Sequence, residues 1–217
     1  MTVLKLRFLA RVATALAVVL PCLVVAQSRP VVDLPSSPRG LSAVQVGGTW
    51  TGSEGDREYV DGAWITIDYG RPILRGRANI FGAGGDYGEV VSDGVPVWRA
   101  GANQTTRLTT QASLSFDGKT IAPGVYNVFV DLQEDRWTFV LSTQPVQATY
   151  DPDDTVNLYG SYNYDREFDV LRAPMRMSTS PVSIEQFTIG FVDVAGDRGS
   201  IAMSWDRTVA TVDFVVR

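Results

Sequence analysis

The sequence has no histidine, and its one cysteine, Cys22, falls in an apolar stretch near the N-terminus. Zinc sites draw on Cys or His, and Ser-His-Asp and Cys-His catalysis need the imidazole, so these chemistries are excluded in their usual forms. Basic runs are missing as well: 24 acidic residues face 19 basic ones, for a net charge of −5. That balance argues against nucleic acid and against anionic membrane surfaces as partners. No long window carries a sustained 3.6-residue apolar period, which leaves little helix to expect.

What is present begins with an export signal over residues 1–26. Lys5, Arg7 and Arg11 form a basic start, Val12 to Val25 an apolar run, and Val24-Val25-Ala26 a cleavage site before Gln27. The run is too short for a membrane span, and Pro21 before Cys22 spoils a lipoprotein reading. The expectation is an exported protein, periplasmic or extracellular, with no membrane insertion after cleavage. Loss of the three basic residues moves the net charge from −5 to −8. The remaining 191 residues, from 27 to 217, contain no cysteine and must be held by their core alone.

Residues 27–62 read as an extended, Pro- and Gly-bearing lead-in with one short strand at Ser42 to Val46, then an acidic surface loop from Trp50 to Gly62. Residues 63–217 read as the folded domain. Trp64 to Tyr69 alternates as a strand. Gly82 to Gly88 lacks the Lys-Ser/Thr of a phosphate loop and reads as a turn. Hairpins then follow: Arg107 to Phe116 closing at Asp117-Gly118, Val125 to Leu132 with Tyr126, Val128, Val130 and Leu132 on one face, and Arg136 to Ser142 with Trp137, Phe139 and Leu141 sharing a face. Asp151-Pro-Asp-Asp154 reads as a solvated turn, because a calcium loop would place glycine sixth and a glutamate where Tyr162 stands. Further strands are expected at Val156 to Tyr164, Phe168 to Met177, Val182 to Val192, Ser200 to Trp205 and Thr208 to Val216, the last two split by a turn at Asp206-Arg207. Regularly spaced short strands predict an all-β fold, an antiparallel, jelly-roll-like β-sandwich of about 8–10 strands in one domain.

Two segments break this rhythm: Tyr69 to Gly82 and Val97 to Thr106. They concentrate Arg71, Arg75, Arg77 and Arg99 beside glycines, Trp98 and Asn103. Arginine and tryptophan next to backbone bends point to a fixed polar constellation. With Tyr69-x-Arg71-Pro72, Gly76-Arg77, Ile80-Phe81-Gly82, Trp98-Arg99-x-Gly101-Ala102-Asn103, Pro123-Gly124-x-Tyr126, Trp137, Tyr164-Asp165 and Asp169-Val170-Leu171-Arg172, the chain resembles the bacterial exported proteins grouped as domain of unknown function family 2911. It departs from that pattern by added residues between Gly48 and Trp64 and between Gly88 and Trp98. The resemblance implies a β-rich exported fold and no assigned activity.

Three readings of the constellation stand side by side. In the first, Arg71, Arg77 and Arg99 are structural, bonding carbonyls of the irregular backbone and pairing with Asp68, Asp165 or Asp169. In the second, Arg71, Arg77, Trp98, Arg99, Asn103 and Tyr126 form a binding site for a small acidic or carbohydrate ligand. In the third, two of Asp165, Glu167 and Asp169 serve as the carboxylate pair of a glycoside hydrolase-like enzyme. An envelope structural or interaction protein is a further class. The sequence assigns no catalytic residue, no metal and no cofactor.

Overall fold

Alternation of apolar and polar residues is the feature that places most of the backbone. The computed structural model describes residues 33–217, with one unit from Leu34 to Arg217. The export signal expected over 1–26, Cys22 included, and the start of the expected lead-in lie outside the described residues. Strands β1 (Arg39–Val46), β4 (Ala63–Gly70), β5 (Thr106–Thr110), β8 (Gly124–Gln133), β9 (Arg136–Ser142) and β10 (Asp169–Pro174) form a six-stranded antiparallel sheet in the order β1-β4-β5-β8-β9-β10. Strands β11 (Arg176–Ala195), β12 (Arg198–Val216), β6 (Leu114–Phe116) and β7 (Lys119–Ile121) form a four-stranded sheet in the order β11-β12-β6-β7. The fold is an all-β sandwich.

The core lies between these sheets. Ile65, Ile67, Leu108, Val128, Val130, Trp137, Phe139 and Leu141 face it from the larger sheet, and Phe187, Ile189, Ile201, Met203, Val212 and Phe214 from the smaller. Tyr126, Val128 and Val130 share that face as their spacing requires, with Leu132 partly buried at its margin. A second, smaller core forms on the outer face of β8 and β9. There Phe129 and Val140 are covered by Val97, Leu158, Val146 and Tyr164. Apart from Val97, the cover comes from the long segment 143–168, which carries no strand of its own.

Several local expectations give way to packing. The stretch Arg107 to Phe116 is two strands, not one, because the chain leaves the larger sheet after Thr110 and joins the smaller at Leu114. The Thr110 hydroxyl holds the corner, donating to the Ala112 carbonyl at 2.7 Å and accepting from its N–H at 3.2 Å. Trp50 to Gly62 is not a plain loop but a small hairpin of β2 (Thr49–Thr51) and β3 (Glu58–Val60), with Trp50 edge-on to Tyr59 at 5.2 Å. Val156 to Tyr164 is not a strand: only Leu158 and the small residues Gly160 and Ser161 are buried there, too few for a period-two face. No reversal occurs at Asp206-Arg207. Instead β12 runs through, Asp206 takes φ +49°, and the register with β11 shifts between Thr179 and Thr188, so the surplus residues are absorbed as bulges. The Asp117-Gly118 turn is as expected, with φ of +47° and +77°. Gly82 to Gly88 turns as expected and continues into one turn of helix, α1 (Glu89–Ser92).

Candidate functional site

The irregular segment 97–105 is laid across the end of β4 and tied down at each step. Trp98 exchanges two backbone hydrogen bonds with Val130 of β8, at 2.8 and 2.9 Å. Its indole N–H donates to the Gly101 carbonyl at 3.3 Å. The Thr106 hydroxyl donates to the Ala100 carbonyl at 3.0 Å, and that of Thr105 to Gly160 at 2.8 Å. The approach to β4 is close enough that a Cβ on Gly70 would sit 2.0 Å from the Ala102 carbonyl oxygen. Glycine is required there by contact.

Below this crossing Trp98 is buried against Phe81, Trp137, Phe187 and Trp205, with ring centroids 4.8–6.3 Å away. Above it a cleft of about 290 Å³ opens, lined by Arg77, Trp98, Arg99, Asn103, Asp93 and Trp205 among others. Four of the six residues expected to bind thus meet in one concavity. Arg71 and Tyr126 do not line it. Arg71 lies along β1, where a Cβ on Gly40 would be 2.3 Å from its Cδ, and its Nε is buried with no partner. Tyr126 belongs to the inter-sheet core, its hydroxyl donating to the Ala122 carbonyl at 2.8 Å.

Arg77 and Arg99 bond carbonyls, as the structural reading expects. Arg77 donates from Nε to Leu74 at 3.0 Å and from Nη2 to Ile73 at 2.8 Å, and its guanidinium lies 5.7 Å from the Trp205 ring. Arg99 donates from Nη1 to Asn103 at 3.3 Å and stands 5.1 Å over the Tyr162 ring. The carboxylate half of that reading fails. Asp68 pairs with Arg39 at 2.6 Å, Asp169 with Arg172 at 2.8 Å, and Asp165 accepts from the Glu167 N–H at 2.9 Å to start a single helical turn. Among the described residues neither Arg77 nor Arg99 forms an ion pair, so both keep free donors. The one carboxylate in the cleft, Asp93, accepts a hydrogen bond from the Tyr162 hydroxyl.

The expected hydrolase pair is not assembled. Glu167 is exposed, while Asp169 is held by Arg172 and by the Tyr164 hydroxyl at 2.6 Å. Asp131 also bonds Arg172. Burial and the Asp169 carboxylate beside it push the Tyr164 phenol well above its ordinary value. Only Asp165 of the three carboxylates lines the neighbouring cavity of about 570 Å³.

A feature absent from the expected site is the tyrosine group of segment 143–168. Tyr150, Tyr159 and Tyr162 line a pocket of about 500 Å³ with Asp151, Asp154 and Asn163. The acidic turn is exposed from Asp151 to Asp153, and two of its carboxylates bind backbone: Asp151 accepts from the Asp153 N–H at 3.0 Å, Asp154 from those of Val156 and Asn157 at 3.0 and 2.9 Å. These bonds hold the Asp154 carboxyl below its ordinary value. Tyrosines scattered at positions 150, 159 and 162 have no strand or helix period, so only their shared pocket reveals them.

Among the described residues no helix is long and apolar enough to cross a membrane. No curated protein and no solved structure matches the chain. The model of the family described as protein of unknown function (DUF2911) matches residues 54–214, which include both arginine segments and all but the first two strands, and the chain belongs to that family.

Proposed function

We propose that this is an exported, non-catalytic binding protein that takes a small acidic, sugar-like ligand in the cleft between Arg77 and Arg99. One observation carries the reading: two guanidinium groups with free donors and no carboxylate partner share one concave surface. Carbonyl bonds orient both groups before any ligand arrives, which lowers the entropic cost of binding. A guanidinium fork matches a carboxylate in two parallel bonds. The exposed Val90 gives the cleft an apolar edge for a ring face, and Asn103 supplies both a donor and an acceptor for hydroxyls. A volume near 290 Å³ is at the low end for ligand pockets and fits a single sugar acid.

The test is calorimetric titration with glucuronate, with glucose as the uncharged control. Glucuronate is expected to bind and glucose not. Arg99→Ala is expected to weaken glucuronate at least about tenfold, since a charge-assisted bond is lost. Its melting temperature should fall by no more than about 4 °C, the shift corresponding to 1 kcal/mol in a chain of this size. A large loss of stability with unchanged glucuronate binding would return Arg99 to a structural role.

Export rests on the basic start, apolar run and small residues of positions 1–26. The expected product in the envelope or medium begins at Gln27, measured as intact mass. An acylated Cys22 species would overturn it.

A further inference from the structure

We infer that the tyrosine pocket is a second subsite for the same ligand, taking an uncharged sugar ring next to the acidic unit held by the arginines. The inference rests on the binding reading above and extends it from a monosaccharide to an oligosaccharide of mixed charge.

Tyr162 links the two cavities, as a wall of the tyrosine pocket that contacts two residues of the arginine cleft. It lines the tyrosine pocket, its ring lies 5.1 Å beneath the Arg99 guanidinium, and its hydroxyl bonds Asp93 in the arginine cleft. A chain of sugars leaving the cleft past Arg99 therefore meets Tyr162 and then Tyr159 and Tyr150. Tyr150 is 57 % exposed and packs against Tyr159 with centroids 5.0 Å apart, so an aromatic face stands open to solvent. Exposed aromatic faces with phenol hydroxyls suit pyranose rings, which present C–H groups on one face and hydroxyls at the rim.

The platform is rigid although it carries no regular strand. Gln147 donates to the carbonyls of Asp154 and Asn157, both at 3.1 Å, and accepts from the Asp151 N–H at 2.9 Å. Asn163 donates to the carbonyls of Asp154 and Asn157 at 2.8 and 3.0 Å. The side chains of Gln147 and Asn163 are thus occupied in holding the segment, and Tyr150 and Tyr159 are left as its recognition surface.

Charge selects which sugar sits where. Asp151 and Asp154 border the tyrosines, among the described residues no cation lines the pocket beside them, and carboxylates are ionised at neutral pH. A second acidic unit would be repelled there, whereas an uncharged ring would not.

Four probes separate the two subsites in one calorimetric series: glucuronate, a hyaluronan tetrasaccharide alternating glucuronate with uncharged N-acetylglucosamine, trigalacturonate, and chitobiose. The tetrasaccharide is expected to bind about tenfold more tightly than glucuronate, the scale of one aromatic stacking contact. Trigalacturonate should gain little over glucuronate. Tyr150→Ala should bring the tetrasaccharide down to the level of glucuronate, with glucuronate itself and the melting temperature unchanged. Equal affinity for tetrasaccharide and glucuronate, or a gain that survives Tyr150→Ala, overturns the second subsite and leaves the cleft reading in place. Tetrasaccharide or chitobiose binding that survives Arg99→Ala but not Tyr150→Ala overturns the cleft and keeps the platform. Failure of every probe overturns both.

Discussion

Glycine decides the site at two positions. Gly70 lets the 97–105 segment cross the end of β4, and Gly160, at φ +64°, leaves room for the Arg99 guanidinium, which a Cβ there would approach to 2.7 Å. The two contacts differ in part. Next to Gly160 a Cβ would meet the Arg99 guanidinium, which can swing aside, and also the Asn103 backbone carbonyl oxygen at 2.8 Å, on a positive φ that strains any side chain. Next to Gly70 every obstacle is the Ala102 backbone, in a segment anchored by the Trp98–Val130 bridge, so the strand and the crossing segment must part. Gly70→Ala is therefore expected to destabilise by about 2 kcal/mol or more, toward the upper end of overpacking changes, in urea unfolding followed by tryptophan fluorescence. Gly160→Ala is expected to cost about 1–2 kcal/mol for its left-handed backbone and, in addition, to displace Arg99 and weaken glucuronate. Equal and small effects of the two substitutions would mean that the crossing yields more easily than its hydrogen bonds suggest.

At the scale of elements, segment 143–168 stands out, since about 25 residues without a strand of their own are unusual within a compact domain. One buried side chain organises it. Gln144, 4 % exposed, donates to the carbonyls of Val156 at 3.0 Å and Asn163 at 2.7 Å, and accepts from the Asp165 N–H at 2.9 Å. Leu158 then plugs the outer face of β8 and β9. Gln144→Ala leaves those backbone groups without partners, at an expected cost of about 1–3 kcal/mol. The loss should be local: faster amide exchange and proteolysis within 143–168, with the inter-sheet core strands still protected. Uniformly faster exchange across both sheets would show that the segment is part of one cooperative unit.

For the molecule as a whole, the absence of histidine, and of cysteine from the described residues, shapes the response to pH. Few side chains have ordinary values between about 5 and 9 when both types are missing. On the acid side, the Arg176 hydrogen bond holds the Asp213 carboxyl below its ordinary value, and backbone and side-chain bonds from Asn157 do the same for Asp154. A lowered folded value contributes stability that is present above the unfolded value, about 4, and is lost as pH falls through the folded one. On the alkaline side the raised Tyr164 and Tyr87 phenols work in the opposite sense: their contribution is present below about pH 10 and is lost as pH rises further. The melting temperature is thus expected to stay level from about pH 5 to 9 and to fall on both sides. Solvent screening keeps the acidic contributions small, because both carboxylates are largely exposed. Asp213→Ala should flatten part of the acid limb. A steep transition near pH 6 to 7 would contradict the expectation.

The sequence by itself determined the class of fold and most of its strands, because period-two burial is a local pattern readable wherever a strand has one buried face. Trp137, Phe139 and Leu141 on β9, or Ile201, Met203 and Trp205 on β12, face the core as their spacing requires. It also marked Arg77, Trp98, Arg99 and Asn103, since arginine and tryptophan beside glycine stand out from that pattern. Only the tertiary structure decided which of the arginines share a surface. Arg71 and Arg77 are six positions apart in an irregular segment, and no period states that one runs along β1 while the other turns over Trp205. The carboxylate partners were equally hidden, as Asp68 and Asp169 are taken by Arg39 and Arg172 from neighbouring strand positions. Asp93, Trp205 and the three tyrosines reach the candidate sites from segments more than a hundred positions apart at the extremes. Such convergence is a property of how the sheets pack and how one long segment folds over them, and a linear pattern carries no record of it.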